Sequence, residues 1–424
     1  MKHYAILLCT MLAACGGSQT PAPGVVNPSP VVSQPTAPPV ITQTPPPVVQ
    51  TDDTATLQAL LDKGDLEQLE GRTYHTTHAL IATRSGATLR GQAGTVIEFQ
   101  SPPVGTLRDP GVNDRVFGIG GSVSTTTQLP IAKAISVGDT SFEAFYAADV
   151  ANIVPGDWVI ITVNDPGIAD ENTHLGYPTY VDWEQVTAVD GTTVHVATPF
   201  RMAFTNTLAF VTNSSGLGFV RVNLTQNVTL EDLTIQVDPG APVVGVYVLG
   251  TLNTTLSNVT IIDASSDQLY TEESKGLTVT GCNFVGGKVL NELSESVDLT
   301  ISNSKFASAN AVPIALDLGT GFFAIKDNTI TQSFHIAIYA FYNVHDGVIS
   351  GNVIDPITGA SDTYGMLLLG SPNVMMDNNT ISGSNGAGGI LAEGFAGASL
   401  SETSAGDTAA GNTITGFTTA VSIH

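Results

Sequence analysis

Three acidic side chains in the second half of the chain have the type and spacing that sugar chemistry requires. Each repeat has a second short strand, and aligning these strands by their inward residues places Glu272, Glu292 and Asp317 at the next outward positions of three successive repeats. Neighbouring parallel strands lie ~4.8 Å apart, so stacked repeats would hold the carboxylates in one column at about that spacing. Carboxylates this close cannot all ionise freely, and a raised pKa on one of them supplies an acid beside a base.

The separation of two such acids predicts the type of glycosidase reaction. About 5 Å suits a retaining enzyme, and about 6.5–9.5 Å suits an inverting enzyme. The plainer alternative is that Glu272, Glu292 and Asp317 are solvated outward residues of an acidic protein. A shift of one residue in the alignment would also turn all three side chains to the other face. Both alternatives stay open at this point.

The acids lie within a region built from a repeated phrase of the form apolar, any, Asn/Asp/Gly, any, any, Ile/Phe. Its eight copies run Leu230 to Ile235, Leu256 to Ile261, Val279 to Phe284, Ile301 to Phe306, Ile325 to Ile330, Ile349 to Ile354, Met376 to Ile381 and Ala409 to Ile414. The ends of successive copies are 26, 23, 22, 24, 24, 27 and 33 residues apart. A period in this range is typical of a solenoid, whose repeats bury their apolar faces only by stacking.

The pattern inside each repeat indicates strands. Apolar residues alternate with a period of two, and Gly, Asn, Asp and Ser fill the gaps between the runs. Each coil is therefore two or three short strands joined by tight turns, and the chain is predicted to be an all-β parallel β-helix. Four successive coils carry Asn328, Asn352, Asn379 and Asn412 at the same place, which predicts a hydrogen-bonded Asn ladder.

The start of the repeat region supports a specific resemblance. Thr54 to Lys63 reads as a short amphipathic helix, and Glu70 to Tyr74 and Ser85 to Gly91 follow with the Gly-rich pattern of a first coil. Together with the repeats, this stretch resembles the right-handed parallel β-helix of the pectate-lyase-like superfamily over residues 51–424. The resemblance implies that the helix caps the open end of the solenoid, which a stack of strands needs.

The same resemblance implies an activity on polysaccharides without deciding which one. The lyases of the superfamily use Ca²⁺ to neutralise a uronate, and Glu272 and Glu292 are the possible ligands here. Elimination also needs a base, for which Lys275 and Lys288 are the nearby candidates. The motifs of the polygalacturonase group are missing, and no Arg follows Arg221. The Arg base of pectate-lyase-type enzymes therefore has no counterpart on these coils.

An insertion at 126–205 interrupts the coils and is predicted to form a small β subdomain, because Pro-Gly and Asp-Gly turns separate its strand-like runs. It holds Tyr177, Tyr180 and Trp183 near several carboxylates. These three aromatic residues, with Tyr339 on the coils, form the predicted substrate-binding set. The alternative is a solvated acidic loop with two aromatic side chains in the core of the subdomain.

The first fifty residues concern location. Residues 1–14 read as a signal peptide whose end, before Cys15, resembles the lipobox of bacterial lipoproteins. The resemblance implies cleavage before Cys15, lipidation of that residue and anchoring to the bacterial envelope at the outer membrane or cell surface. Residues 15–50 are Pro-rich and uncharged, as expected of an extended tether. An ordinary secretory signal is the alternative.

Composition restricts the partners. With 14 Lys and Arg against 38 Asp and Glu, the formal charge is −24, which argues against nucleic acid or an anionic membrane surface as a partner. Membrane contact is expected through the N-terminal lipid only, and Ca²⁺ is the one possible cofactor. Two classes of function remain: an enzyme that hydrolyses or eliminates an extracellular polysaccharide, which we favour, and a non-catalytic solenoid for glycan binding, adhesion or cell-surface structure. The oligomeric state stays open.

Overall fold

The structure is a computed structural model that describes most of the chain after residue 50. The described ranges are 51–100, 115–120, 128–169, 176–204, 216–238, 243–287, 289–307, 312–331, 333, 335–358, 363–394 and 404–424. The chain divides into two units, Met1–Val49 and Gln50–His424. The predicted signal peptide (1–14), Cys15 and the linker (15–50) lie outside the described residues and stay predictions. No helix in the described ranges is both long and apolar enough to cross a membrane.

Among the described residues, two helices and twelve strands precede the main run of coils. The helices are α1 (Thr54–Leu61) and α2 (Ala147–Val150). The strands are β1 (Leu66–Gln68), β2 (Thr73–Thr76), β3 (Leu80–Ala82), β4 (Thr88–Arg90), β5 (Val96–Phe99), β6 (Arg115–Gly120), β7 (Leu129–Pro130), β8 (Ser141–Glu143), β9 (Trp158–Ala169), β10 (Gly176–Asp190), β11 (Thr193–Val196) and β12 (Gly216–Val222).

The remaining strands follow at short intervals to the end of the chain. They are β13 (Thr225–Gln226), β14 (Thr229–Glu231), β15 (Thr234–Val237), β16 (Val244–Leu249), β17 (Thr251–Leu252), β18 (Thr255–Ser257), β19 (Thr260–Ile262), β20 (Asp267–Glu272), β21 (Thr278–Thr280), β22 (Asn283–Val285), β23 (Val289–Ser294), β24 (Thr300–Ser302), β25 (Lys305–Ala307), β26 (Val312–Asp317), β27 (Ala324–Lys326), β28 (Thr329–Thr331), β29 (Ile336–Phe341), β30 (Gly347–Ser350), β31 (Val353–Thr358), β32 (Tyr364–Leu369), β33 (Val374–Asp377), β34 (Thr380–Glu393), β35 (Thr408–Ala410) and β36 (Thr413–Ile423).

The coils stack as three parallel ladders, which confirms the predicted all-β parallel β-helix. The first ladder is a ten-stranded sheet in the order β1-β4-β14-β18-β21-β24-β27-β30-β33-β35. The second runs β2-β5-β15-β19-β22-β25-β28-β31-β34-β36. The third runs β3-β6-β16-β20-β23-β26-β29-β32-β34-β36. The long strands β34 and β36 belong to both of the last two ladders, which therefore count as one sheet.

The repeated phrase marks the corner between the first two ladders. In the copy from Leu256 to Ile261, the first residue points inward from the first ladder and the last points inward from the second, and both are fully buried. The third residue, Asn258, has a φ of 53°. Because only Gly, Asn and Asp adopt this left-handed conformation at low cost, the phrase accepts only these types there. Gly281, with a φ of 64°, is the equivalent residue one coil further on.

The predicted Asn ladder is present at the next position of that corner. Asn328 donates from Nδ2 to Asn352 Oδ1 at 3.0 Å, Asn352 to Asn379 at 2.9 Å and Asn379 to Asn412 at 3.1 Å. The side chains of Asn328, Asn352 and Asn379 also donate to backbone carbonyls on the preceding coil. Buried amides are thus satisfied along the stack, which keeps the register of the coils uniform.

The inserted segment forms an antiparallel sheet of six strands in the order β7-β12-β9-β10-β11-β8. Strand β12 lies beyond residue 205, so the sheet extends past the predicted boundary of the insertion. The sheet has an apolar core of its own, with Phe142, Phe200 and Phe219 buried in it. A second small apolar cluster joins the sheet to the coils and includes Trp183 from β10 and Val297 from the turn after β23.

The first helix packs on the end of the coils. Leu57 and Leu61 of α1 are buried in the same apolar cluster as the inward residues of the coils. The third ladder also has an outward face, on the side away from that core. Its side chains, such as Tyr270, Glu272 and Asp317, are only half-buried. That outward face holds the acids that the sequence singled out.

Candidate functional site

The outward face of the third ladder carries two columns of side chains. The register gives a middle column of Tyr247, Tyr270, Glu292, Ala315 and Tyr339. It gives an end column of Leu249, Glu272, Ser294, Asp317 and Phe341. The inward neighbours, such as Leu269, Leu293 and Leu316, are fully buried. Outward and inward residues alternate because successive side chains of a strand point to opposite faces.

The prediction of a single column of three acids is wrong in one respect. Glu272 and Asp317 do share the end column, but the residue between them is Ser294, and Glu292 lies two residues earlier in the middle column. Glu272 and Asp317 each lie eleven residues after the end of the preceding phrase, whereas Glu292 lies only eight residues after it. The two acids of the end column are therefore two strand spacings apart, ~9.6 Å along the stack.

Glu272 is held by aromatic residues on neighbouring coils. The hydroxyl of Tyr247 donates to Glu272 Oε2 at 2.6 Å. The rings of Tyr247 and Tyr270 pack with centroids 5.2 Å apart. The guanidinium of Arg115 lies over the Tyr247 ring at 4.0 Å from its centroid. This packing fixes the phenol, and the phenol in turn orients the carboxylate.

Asp317 has the electrostatic properties of an acid. Its pKa is raised to about 7, because burial and the negative charges of Glu272 and Asp267 raise it more than the hydrogen bond with the Ser294 side chain lowers it. Its Oδ1 atom is buried and has no hydrogen-bond partner among the described residues. A carboxyl of this kind is protonated over a wide pH range and can donate its proton.

Two further acids, which the sequence reasoning missed, lie at the corner that follows the third ladder. Glu273 and Glu295 come directly after strands β20 and β23 and have φ values of 46° and 48°. Burial and, to a smaller extent, the charge of Glu272 raise the pKa of Glu273 to about 7. The pKa of Glu295 is also raised, first by burial and then by Glu273, Glu272 and Asp317. We call Glu272, Glu273, Glu292, Glu295 and Asp317 the acidic cluster.

The backbone at this corner is left-handed on each coil from β16 to β32. Gly250 and Gly370 occupy the position with φ of 61° in both cases, and Leu318 and Tyr342 occupy it with φ of 48° and 56°. Glycine adopts this conformation freely, and a side chain there costs about 1 kcal/mol or more. The signal in the sequence was a Glu-Ser pair recurring after 22 residues, at Glu273 and Glu295.

Aromatic rings continue the face beyond the acids. Tyr339 and Phe341 stack with centroids 5.5 Å apart, and Phe341 and Tyr342 lie at 3.7 Å. Burial raises the pKa of the Tyr339 hydroxyl, and the charge of Asp317 raises it further. Tyr339 therefore lies beside the acidic cluster, in a place where a ring could contact a sugar.

The structure places Lys275 and Trp183 elsewhere. The Lys275 amine donates to the backbone carbonyl of Trp183 at 3.1 Å and forms an ion pair with Asp298 at 3.1 Å. Trp183 is fully buried between the inserted sheet and the coils. Lys275 is thus engaged between the subdomain and the coils, and the Trp183 ring has no exposed face for a sugar, contrary to both predictions. Tyr177 and Tyr180 lie in β10, and their side chains fall outside the described part.

The predicted Ca²⁺ site finds no support. Within the described ranges, no three His, Cys, Asp or Glu side chains are grouped to hold a metal ion. Glu272 and Glu292 lie in different columns on adjacent coils. Two monodentate carboxylates are also fewer ligands than Ca²⁺ requires.

Residues 219–414 match a family model described as a right handed beta helix region. The fold and the match together define the class, a protein that contains a right-handed parallel β-helix. No curated protein sequence matches the chain.

Three solved structures illustrate the likeness. The tailspike protein gp49 from Pseudomonas phage LKA1 is 13% identical, with a TM-score of 0.43 over 85% of this chain and 74% of that chain. The gp54 tailspike of Acinetobacter baumannii bacteriophage AP22, in complex with A. baumannii capsular saccharide, is 14% identical, with a TM-score of 0.38 over 89% and 68%. The A-module of the Azotobacter vinelandii mannuronan C-5 epimerase AlgE6 is 12% identical, with a TM-score of 0.40 over 88% and 92%. Likenesses at this level bear on neither the substrate nor the mechanism of this chain.

Proposed function

We propose that this chain is a surface-anchored enzyme that cleaves an extracellular polysaccharide by carboxylate-assisted hydrolysis. The observation that carries the proposal is the register of Glu272 and Asp317, which lie in one outward column with Ser294 between them. Their spacing of ~9.6 Å along the stack is close to the upper end of the range for inverting glycosidases, ~6.5–9.5 Å between carboxyl groups. Side-chain rotamers adjust that separation by an ångström or more.

The two acids have distinct environments, and these assign their roles. Asp317, whose pKa is raised to about 7, gives its proton to the oxygen of the bond that breaks. Glu272, oriented by the Tyr247 hydroxyl, takes a proton from the water that attacks the anomeric carbon from the opposite face. The step leaves Asp317 deprotonated and Glu272 protonated, and proton exchange with solvent restores both groups before the next turnover. The anomeric configuration inverts because the water attacks the face opposite the leaving group.

The aromatic side chains supply the binding surface. Tyr270 lies in the middle column on the same strand as Glu272, and Tyr339 lies in that column one coil beyond Asp317. Ring faces pack against the C–H surfaces of pyranoses, while nearby carboxylates accept hydrogen bonds from hydroxyl groups. A saccharide running along the stack would therefore contact rings on both sides of the cleavage point.

Hydrolysis fits this face better than elimination. The predicted base, Lys275, is engaged by Asp298 and the Trp183 carbonyl. The described part of the chain also groups no three metal-ligating side chains, so a Ca²⁺ bridge to a uronate lacks ligands. A polyuronate would in addition be repelled by a chain with a formal charge of −24.

The location of the enzyme is part of the proposal. The signal-like residues 1–14 and Cys15 support a lipid anchor to the bacterial envelope, at the outer membrane or cell surface, and the Pro-rich residues 15–50 support a tether. In cells, a Cys15→Ala variant should leave the membrane fraction, and the N-terminal peptide of the parent chain should carry the mass of added acyl chains. A parent chain without acylation would contradict the anchor while leaving the chemistry untouched.

A polysaccharide panel tests the activity. The purified chain should release new reducing ends without the ultraviolet absorbance of an unsaturated uronate, and EDTA should leave the rate unchanged. Proton NMR of the first product should show the inverted anomer. Glu272→Gln and Asp317→Asn should each lower kcat by about 100-fold or more, since each removes a general acid or base, which typically accelerates a reaction by about 10²–10⁴-fold.

Other outcomes of the same panel point elsewhere. Ultraviolet absorbance at new chain ends, lost with EDTA, would mean Ca²⁺-assisted elimination. Glycan binding without any cleavage would mean a non-catalytic glycan-binding or cell-surface solenoid. An activity that survives both Glu272→Gln and Asp317→Asn would remove the proposed acid pair.

A further inference from the structure

We propose that Arg201, a residue of the inserted subdomain, positions the two turns that carry Glu273 and Glu295. The subdomain would then help to position the acidic cluster, although it contributes no residue to that cluster. The role of these turns in catalysis rests on the proposed function, but their positioning can be measured without it.

The two turns are stacked on each other and lie next to the acids. The first, residues 273–276, follows β20, and the second, residues 295–298, follows β23. The backbone N–H of Ser274 donates to Ser296 Oγ at 3.1 Å, and that of Val297 donates to the Ser274 carbonyl at 3.0 Å. A displacement of one turn is therefore passed to the other.

Each turn offers one charged side chain to the inserted subdomain. Asp298 of the second turn accepts a hydrogen bond from the Arg201 guanidinium and pairs with Lys275 of the first turn at 3.1 Å. Arg201 also pairs with the fully buried Asp182 at 3.0 Å. Arg201 thus links the buried Asp182 of the subdomain to Asp298 of the coils. Lys275 forms a second link, because its amine donates to the Trp183 carbonyl at 3.1 Å.

Apolar side chains cover these ion pairs in part, and the Arg201 and Asp298 side chains remain 32% and 34% exposed. Val297 is fully buried in one cluster with Ile160, Val181 and Trp183 of the subdomain. The Arg201 guanidinium lies over the Phe322 ring at 3.6 Å from its centroid. Charge pairs in such surroundings are screened less by salt than exposed pairs are.

The turns need to be held because their native conformation is unfavourable in two ways. Glu273 and Glu295 both have positive φ, a conformation that a glutamate adopts at a cost. They also repel each other, since the pKa of Glu295, which burial raises most, is raised further by the charge of Glu273. Contacts from outside the coils are a direct way to keep two such residues in place.

An arginine suits this task because its planar fork can bind two carboxylates at once. Arg201 uses its two terminal nitrogens on Asp298 and Asp182 respectively. A lysine would keep the charge at position 201 but could not reproduce both directed contacts.

Amide hydrogen exchange of the full chain tests the positioning directly. Arg201→Gln should speed exchange in residues 273–276 and 295–298 by about tenfold, because the loss of a partly buried charge partner opens the segment it held. The matched control is Arg221→Gln, which breaks an ion pair with Asp157 at 2.9 Å within the subdomain. That control should leave exchange in both turns unchanged.

A second variant covers the case in which Arg201→Gln does not fold. Asp298→Asn keeps the pair between Arg201 and Asp182 and removes only the charge on the turn. It should also speed exchange in both turns. The proposal is overturned if Asp298→Asn exchanges in both turns at the rate of the parent chain. It is also overturned if Arg221→Gln speeds exchange in the turns as much as Arg201→Gln does.

Steady-state kinetics on a polysaccharide that the chain cleaves distinguish a positioning role from a general loss of stability. At a temperature where the variants are fully folded, Arg201→Gln should lower kcat by about 10–100-fold with little change in KM, as misplacement of reacting groups does. Arg201→Lys should recover part of the loss. If the parent chain cleaves nothing, the proposed function fails, and the exchange experiment still decides whether Arg201 positions the turns.

Discussion

Tyr247 donates a 2.6 Å hydrogen bond to Glu272, which stands one coil further along the outward face of the third ladder. The bond crosses between neighbouring strands and links the middle column to the end column. Tyr247 is in turn packed between the Arg115 guanidinium and the Tyr270 ring. The carboxylate proposed as the base is therefore fixed by a preformed support.

Tyr247→Phe should weaken catalysis more than stability. Loss of the phenol hydroxyl removes one charge-assisted hydrogen bond, so kcat/KM should fall by about 10-fold, corresponding to ~1.4 kcal/mol. The control is Tyr364→Phe, a tyrosine of β32 in the same ladder, which should change nothing. Equal rates for Tyr247→Phe and the parent chain would mean that the phenol does not orient the base.

The pH dependence of kcat should reflect the loss of the proton from Asp317. Its pKa is raised to about 7, so the protonated acid is present below that pH and disappears above it. We expect kcat to fall as pH rises through about 7, and Asp317→Asn to lack this alkaline limb in its residual activity. An alkaline limb that persists in Asp317→Asn would assign the titration to another group, such as Glu273.

Glu184 should make the inserted subdomain less stable at high pH. It is fully buried, and its pKa is raised to about 7, because burial and the charge of Asp182 raise it more than the hydrogen bond with the Thr198 hydroxyl lowers it. The folded chain then holds this proton more tightly than the unfolded chain does. The free energy of unfolding should therefore fall as pH rises from about 4.5 to about 7 and stay level above.

Glu184→Gln should remove that dependence. At pH 8 the variant should be more stable than the parent chain by about 3 kcal/mol, and at pH 4 the two should be equal. Chemical denaturation followed by tryptophan fluorescence measures both, since Trp158 and Trp183 lie in the subdomain. A variant that is less stable than the parent at pH 8 would show that the ionised carboxylate is favourable in place.

Tyr339→Ala and Trp183→Ala should have opposite effects. Tyr339 lies beside Asp317 on the outward face, so its loss should weaken glycan binding by about 3–10-fold at little cost in stability. Trp183 is fully buried, and its loss should lower the free energy of unfolding by about 3–5 kcal/mol. Calorimetry and denaturation separate the two, and weaker glycan binding by a folded Trp183→Ala variant would reverse our assignment.

Asn352→Ala should destabilise the coils. The Asn352 amide donates to Asn379 and to the Ile325 carbonyl and accepts from Asn328, all without access to water. Its loss leaves buried groups unpaired and should cost about 2–4 kcal/mol of unfolding free energy. Asn303→Gly, at an exposed left-handed corner position with a φ of 51°, is the control and should lie within about 0.5 kcal/mol of the parent chain.

The solenoid was predictable because its signal is repeated and local. The phrase fixes a buried residue in the first ladder, a left-handed corner and a buried residue in the second ladder, and each of these depends on neighbours in sequence. The Asn ladder was predictable for the same reason, because its four Asn residues occupy the same place in successive copies of the phrase. Glu272 and Asp317 were found because both stand at the end of a strand, and counting eleven residues from each phrase would also have excluded Glu292 from their column.

The remainder of the site depends on contacts that sequence distance hides. Lys275 reads as a free base until the inserted strand β10, nearly a hundred residues earlier in the chain, supplies the carbonyl of Trp183 to its amine. Trp183 reads as a sugar-binding residue because it lies near several carboxylates in the sequence, and one face of a sheet strand is commonly exposed. In the inserted sheet both faces are covered, one by its own core and one by the coils, and alternation no longer reports exposure.

The stacking of coils also limits how the distance between Glu272 and Asp317 can evolve. Each coil adds one layer of ~4.8 Å, so inserting or deleting a coil changes that distance by a whole layer and cannot change it by less. Loss of the single layer that holds Ser294 would bring the carboxylates to the short separation typical of retention. A chain of this type could therefore switch stereochemical outcome through one duplication or deletion, without any change in the reacting side chains.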